Sequence, residues 1–249
     1  GSNMQKLTFV IGANAAGKTY FIEHHLANEK SVVLDVYDYQ QKVYDEHGNK
    51  ELITFEEQFR CLKKANEKHL HDIINELKQG NDVIAEQTFF KAKRRIAYID
   101  EIRKKMDVKI EVYVMHPSNE RWIENSKKRE DIENIETYEN QKKQMEFPNP
   151  AEGFDAIFEV VDDEIILRMD DIRPEIVKQA RQELTEEDTW IRREDEREHK
   201  HRQLIESMNT RPFWHYCEVC GKKDFITAKE ALDAGWDYPP HFGEFGLLG

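Results

Sequence analysis

The chain has 249 residues, with 37 Lys and Arg against 50 Asp and Glu, and a formal net charge of −13 at pH 7. That length holds one ordinary α/β domain plus an appendage, and that acidity excludes a protein that coats nucleic acid through bulk electrostatics while leaving room for a local basic groove. Hydrophobic residues make up 39%, enough for a core beneath a surface whose polarity shows in a mean hydropathy of −0.83.

No run of about 18 apolar residues and no signal-peptide pattern occurs, so neither a membrane span nor secretion is expected. Gly1-Ser2-Asn3 ahead of Met4 reads as a tag remnant, which puts the expected native start at Met4. Three cysteines, one of them isolated at Cys61, do not make a disulfide framework, and a reducing cytoplasmic setting is the natural expectation.

The first element is the apolar run Leu7-Thr8-Phe9-Val10-Ile11, a buried strand. Gly12-Ala13-Asn14-Ala15-Ala16-Gly17-Lys18-Thr19 follows it and leads into the amphipathic stretch Tyr20 to Leu26. Strand, glycine loop and helix around G-x-x-x-x-G-K-T read as a phosphate-binding P-loop. Gly12 and Gly17 free the backbone to aim successive N–H groups at a phosphate, and the positive end of the following helix adds to that nest. Lys18 is expected to reach the β- and γ-phosphates of a nucleoside triphosphate, and Thr19 to ligate Mg²⁺. His24 and His25, just downstream, are expected to lie on the helix surface with no ligand role.

Val32-Val33-Leu34 is a second buried strand with Asp35 and Asp38 after its C-terminal end, the edge where open parallel sheets bind ligands. Apolar residues from Phe55 to Leu77 recur at helical spacing until Gly80-Asn81. Val83-Ile84-Ala85 is the third strand, leading into Glu86-Gln87-Thr88, and the next helix opens with Lys91, Lys93, Arg94 and Arg95. Cations at a helix N-terminus oppose its dipole, so an anionic ligand is expected there. Val108, Ile110, Val112 and Val114 alternate with polar residues, which suits a strand exposed on one side and nearer the sheet edge. Ser118 offers a cap for the helix carrying Arg121 to Arg129, and another helix is expected from about Ile132 to Met145. Ala156 to Val161 is a fifth strand that Asp162-Asp163-Glu164 turns into a hairpin with Ile165-Ile166-Leu167.

This alternation predicts a P-loop α/β three-layer sandwich with a mostly parallel sheet over residues 4–172. Residues 173–210 read as a charged helical connector, one extended helix or a pair, with few apolar anchors such as Trp190 and Leu204. Residues 211–249 form a small Cys-containing segment. Its Cys217-Glu218-Val219-Cys220-Gly221 is half of a zinc-ribbon knuckle, which makes Cys217 and Cys220 candidate Zn²⁺ ligands in an incomplete site that His215, His241 or another chain would complete.

A P-loop alone says that a triphosphate binds; phosphoryl transfer needs more parts. Asp35 or Asp38 is a candidate to take the proton of an acceptor hydroxyl, Glu86 to hold Mg²⁺ through water, and Arg129 to cover the triphosphate and neutralise charge in the transition state. The glycine loop, the carboxylate after the second strand, Val83 to Thr88 followed by Arg94-Arg95-Ile96-Ala97, and Asn125-Ser126-Lys127-Lys128-Arg129 together resemble the kinase domain of polynucleotide 5′-kinases. Lys142-Lys143-Gln144-Met145 leading toward Gly153-Phe154 is similar to that family as well, and zeta-toxin-type sugar-nucleotide kinases are close relatives. The resemblance covers about residues 7 to 162.

It implies transfer of the ATP γ-phosphate to the 5′-hydroxyl of RNA or DNA, with Lys18, Thr19 and Arg129 on the triphosphate. Asp38, Gln41, Thr88, Arg94 and Arg95 would lie on the acceptor. The family's aspartate is usually followed three residues later by an arginine that grips the acceptor phosphate; here that place holds Gln41 counted from Asp38, or Asp38 counted from Asp35. Asp38-Tyr39 matches the family's local pattern better. A small-molecule kinase of zeta-toxin or nucleoside-kinase type, and a nucleotide-binding regulatory protein, are the alternative readings.

Overall fold

The structure, a computed structural model, describes residues 4–48, 54–129, 134–236, 242–243 and 246–248. The chain divides into two compact units, Gly1–Leu184 and Thr185–Gly249.

In the first unit a six-stranded sheet has the order β2-β3-β1-β4-β5-β6, built from β1 (Lys6–Gly12), β2 (Ser31–Asp35), β3 (Asp82–Gln87), β4 (Lys109–Met115), β5 (Ala156–Val161) and β6 (Glu164–Leu167). The first five strands in that order are parallel, and β6 returns antiparallel on β5 through a turn at Asp162, whose φ is +52°. β1 is apolar and buried along almost its whole length, as a central parallel strand covered on both faces must be.

One face carries α3 (Phe55–Lys78) and α4 (Ala92–Lys105), where Ile73, Ile74, Leu77, Ile99 and Ile102 pack on Leu7, Phe9, Val83 and Ala85. On the other, Phe21 and Ile22 pack on Val10, Ile84 and Val160. α3 starts from a capping box: Thr54 Oγ1 accepts from Glu57 N–H, and the Glu57 carboxylate accepts from Thr54 N–H. The short α1 (Lys18–Phe21) continues as one π-helical turn, Ile22–Leu26, that the amphipathic pattern of Tyr20 to Leu26 does not announce. α2 (Val36–His47) follows β2 directly, α5 (Asn119–Lys127) and α6 (Ile135–Gln144) follow β4, and α7 (Pro174–Thr210) is one helix rather than a pair. Residues 130–133, where α6 was expected to begin, lie outside the described ones. The first turns of α7 place Val177 and Ala180 against Ala92 and Ile96 of α4.

β4 departs from expectation. It lies inside the sheet between β1 and β5, and its polar face carries ion pairs: Glu111 is buried and pairs with Lys6 Nζ at 3.8 Å and Lys109 Nζ at 3.1 Å. Alternation here marks charges neutralised by their neighbours, not exposure.

The second unit has a four-stranded sheet in the order β8-β7-β10-β9, from β7 (Phe213–Tyr216), β8 (Lys223–Ile226), β9 (Phe242–Gly243) and β10 (Gly246–Leu248), plus α8 (Ala228–Asp233) capped by Thr227. β7 and β8 form an antiparallel hairpin whose turn contains Cys217 and Cys220.

Candidate active site

The sheet brings the C-terminal ends of β1, β3 and β2 side by side, and the site grows from them. β1 ends at Gly12, whose φ of +143° and whose approach to β4 both require glycine: a Cβ there lies 2.7 Å from Met115 O. Ala15 (φ +60°) and Gly17 (φ +89°) then turn the chain through left-handed conformations into α1. Lys18 Nζ folds back over this loop, donating to Gly12 O at 2.8 Å and Ala13 O at 3.1 Å. Burial brings its ammonium down to about pKa 8, with Glu86 and Asp35 opposing the shift and Arg129 adding to it.

Thr19 Oγ1 donates to Glu86 Oε1 at 2.9 Å, joining the first turn of α1 to the end of β3. Asp35 at the end of β2 stands beside Glu86 in the parallel register, so two carboxylates share one edge. Both have raised pKa values. Burial is the larger cause for each, and their mutual repulsion contributes for Glu86 as Asp38 does for Asp35. Asp35 Oδ1 accepts Tyr37 N–H at 2.9 Å and so caps α2. Behind it the fully buried His69 of α3 donates Nε2–H to Leu34 O at 2.9 Å and meets the Tyr98 hydroxyl with Nδ1 at 3.0 Å, while burial lowers its pKa and keeps it neutral. Asp38 is exposed in the first turn of α2. It raises the pKa of both Asp35 and Glu86, whereas Asp35, not Asp38, is the aspartate that acts on Lys18.

A hydroxyl and a carboxylate held in contact are hard oxygen donors of the kind Mg²⁺ takes. The Thr19–Glu86 pair therefore fits that ion, and Lys18 with the loop amides fits a triphosphate.

Arg129 is exposed just past α5, its N–H bonded to Ser126 O at 3.1 Å, and its charge reaches Lys18. Two further residues of α5 touch the loop directly, though the sequence reading gave neither a role. Trp122 Nε1–H donates to Asn14 O at 2.8 Å, and Asn125 Nδ2–H to Ala15 O at 3.1 Å. A lone tryptophan in an otherwise polar helix was the available signal for the first.

The cationic start of α4 is explained differently from the expectation. Arg95 is 1% exposed, and its guanidinium donates to Glu152 Oε1 (2.7 Å) and Oε2 (3.1 Å), Phe89 O (2.7 Å) and Glu146 O (2.7 Å). Lys91 pairs with Glu146 at 3.5 Å, and the same carboxylate accepts Ala92 N–H at 3.3 Å. The anions at this helix end are the chain's own Glu146 and Glu152, and Arg95 is a buried cation whose bonds stay within the chain. Arg94 and Thr88 are half-buried at the ends of α4 and β3, and Gln41 is half-buried on α2. His24 stacks on Tyr20 and His25 on Phe21 at the surface.

In the second unit Cys220 N–H donates to Cys217 Sγ at 3.4 Å, and the amides of the turn hold the Cys217 thiol below its usual pKa. Among the described residues no group of three or more His, Cys, Asp or Glu forms a metal cluster. His215 turns Nδ1 to Phe213 O, and His241 lies outside the described residues. A completed zinc site is not supported.

Residues 7–148 match the AAA domain family. The chain belongs to that family. None of the curated proteins matches the chain. Among solved structures, the Pnkp1/Rnl/Hen1 RNA repair complex is 15% identical over 58% of this chain, with a TM-score of 0.45, and the chain spans only 45% of that protein's length. A sugar kinase from Janibacter sp. HTCC2649 is 14% identical over 63% of this chain and 84% of its own, with a TM-score of 0.42. The PezAT toxin–antitoxin system of Streptococcus pneumoniae is 13% identical over 67% of this chain and 73% of its own, with a TM-score of 0.44. The AAA domain here has a P-loop, kinase-like α/β fold. Among the described residues no helix is long and apolar enough to cross a membrane.

Proposed function

We propose that this AAA domain is a phosphotransferase that moves the γ-phosphate of ATP to an alcohol. The observation that carries the reading is the convergence of Lys18, Thr19, Glu86 and Asp35 at one sheet edge, with three charges of opposing sign acting on one another. A P-loop used only for occupancy has no need of an aspartate whose charge acts on the lysine.

In the proposed reaction Lys18 and the loop amides bind the triphosphate. Thr19 and Glu86 would hold Mg²⁺, which when bound neutralises charge on the phosphates. Asp35 accepts the proton of the acceptor hydroxyl, whose oxygen bonds to the γ-phosphorus as the bond to the β–γ bridging oxygen breaks and ADP leaves with the electron pair. Arg129 neutralises the equatorial oxygens from the end of α5. The aspartate proposed as base is thus Asp35, its pKa raised first by burial and further by Asp38.

For the acceptor, the family resemblance implies a polynucleotide 5′ end. A specific observation favours a second reading, a small alcohol: Arg95 is consumed by Glu152, and the carboxylates Asp35, Asp38 and Glu86 make the acceptor side acidic, which opposes an incoming phosphodiester. Incubation with γ-labelled ATP, Mg²⁺ and a panel from sugars and nucleosides to 5′-hydroxyl oligonucleotides tests both. Label on small alcohols is the expected result. Label on the oligonucleotides alone overturns the small-alcohol reading, and label on no acceptor overturns the transferase.

A further inference from the structure

We propose that Trp122 and Asn125 are positioning residues of the phosphate loop, and that α5 holds the loop in its anion-binding shape before any nucleotide arrives. The proposal rests on the nucleotide-binding reading of the same site and adds the device that sets its geometry.

The argument starts from the peptide unit. A trans peptide is planar, so its C=O and the following N–H point in opposite directions. Drawing Asn14 O and Ala15 O toward α5 therefore turns the amides of Ala15 and Ala16 to the other side of the loop. Trp122 Nε1–H and Asn125 Nδ2–H do that drawing. Ala16 N–H meets Ala13 O at 3.3 Å, and the Lys18 ammonium donates to that same oxygen. The two side-chain bonds thus fix the Asn14–Ala15 and Ala15–Ala16 peptide planes, and with them the directions of two loop amides.

The loop needs such help. Ala15 sits at φ +60° without being glycine, a conformation that is unfavourable for an L-residue and persists where the surroundings impose it. Gly17 lies beside Asn125, where a Cβ would make only ordinary contact at 3.5 Å with Asn125 Nδ2, so it is the φ of +89° and not space that asks for glycine. Trp122 is itself locked. It is 1% exposed and stacks on Tyr138 of α6 with centroids 5.1 Å apart and planes within 6°. The Tyr138 hydroxyl donates to Pro117 O at 2.5 Å, and Ala13 of the loop belongs to the same buried cluster. Arg129 continues from the last turn of α5 through its bond to Ser126 O, so the helix that shapes the loop also sets where the arginine begins.

Trp122→Phe keeps the stacked ring and removes the N–H; Asn125→Ala removes the second donor. Calorimetric titration of ATP and of inorganic triphosphate is expected to show each variant binding both ligands about 5- to 10-fold more weakly, as for one lost hydrogen bond. The same variants are expected to show KM for ATP raised with kcat nearly retained. Dissociation constants within twofold of the parent, with only a lowered Tm, overturn the proposal and leave α5 a packing element. A measurement on the unaltered chain guards against variants that fail to fold: the Trp122 indole N–H is expected to resist exchange with deuterated water without nucleotide. Free exchange that slows only on adding triphosphate sinks the idea that the loop is held in advance. If the unaltered chain binds neither ATP nor triphosphate, the nucleotide reading itself fails, while the exchange measurement still reports on the clamp.

Discussion

Two groups of charges in the first unit look alike in the sequence and differ in whether they find their partners within the chain. Around Arg95 the accounts balance: one guanidinium, the Glu152 carboxylate and two backbone carbonyls satisfy each other in full. Around Lys18 they do not. The ammonium is held down to about pKa 8, Asp35 and Glu86 are held up, and each of the three would be relieved by something brought from outside. A buried cluster that satisfies itself is structural, whereas one whose members are all pushed toward neutrality is prepared for a ligand.

The sharpest way to break this comparison is Asp35→Asn. If Asp35 is the base, kcat falls by about 10²- to 10⁴-fold while the affinity for ATP changes little. Steady-state kinetics with a responsive acceptor reads this directly, and a kcat within threefold of the parent removes Asp35 from the chemistry. Next comes Arg95→Ala, which strands Glu152 and is expected to cost about 3–5 kcal/mol of stability in urea unfolding. Replacing both partners with apolar residues of similar volume is expected to recover most of that loss, and ATP affinity in the folded fraction is expected to be unchanged.

The Lys18 cluster also predicts a pH dependence. Its ammonium loses its proton as pH rises through about 8, and a bound triphosphate favours the charged form. Binding therefore takes up a proton above that pH, and the dissociation constant for inorganic triphosphate is expected to rise toward about tenfold per pH unit there. Lys18→Ala is expected to bind weakly with a flat profile across the same range. A flat profile in the unaltered chain contradicts the burial of the lysine.

Much of this was legible in the sequence. Apolar runs bounded by glycine and acid gave the strands, and the loop motif gave the edge at which they converge. What escaped was anything set by faces and register. Arg95 and Arg94 are adjacent and chemically alike, yet Arg95 lies three residues after Ala92 and four before Ile99, on the buried stripe of α4. That spacing was available, and the expectation of an acceptor ligand overrode it. Glu111 looked like the solvent face of an edge strand because pairing with Lys109 of its own strand leaves no trace in an alternating pattern and its second partner, Lys6, comes from a different strand. The local pattern pointed to Asp38, whereas the pairing of Asp35 with Glu86 across β2 and β3, which no local pattern carries, favours Asp35. Trp122 carried no motif at all; its contact with Asn14 spans a long sequence separation that periodicity cannot report.

The smallest predicted effect tests the division of labour between the two aspartates. Asp38 is exposed, and its charge raises the pKa of Asp35. Removing that charge in Asp38→Asn makes Asp35 easier to ionise, so its pKa falls. A base must be ionised to accept a proton, so the acid limb of the kcat profile is expected to move to lower pH by a fraction of a unit, with the plateau nearly unchanged. Solvent screens an exposed charge, so the shift should shrink further as salt is added. A collapsed plateau with the limb in place assigns the base to Asp38 instead, and then the Asp35 carboxylate serves only to favour the charged lysine.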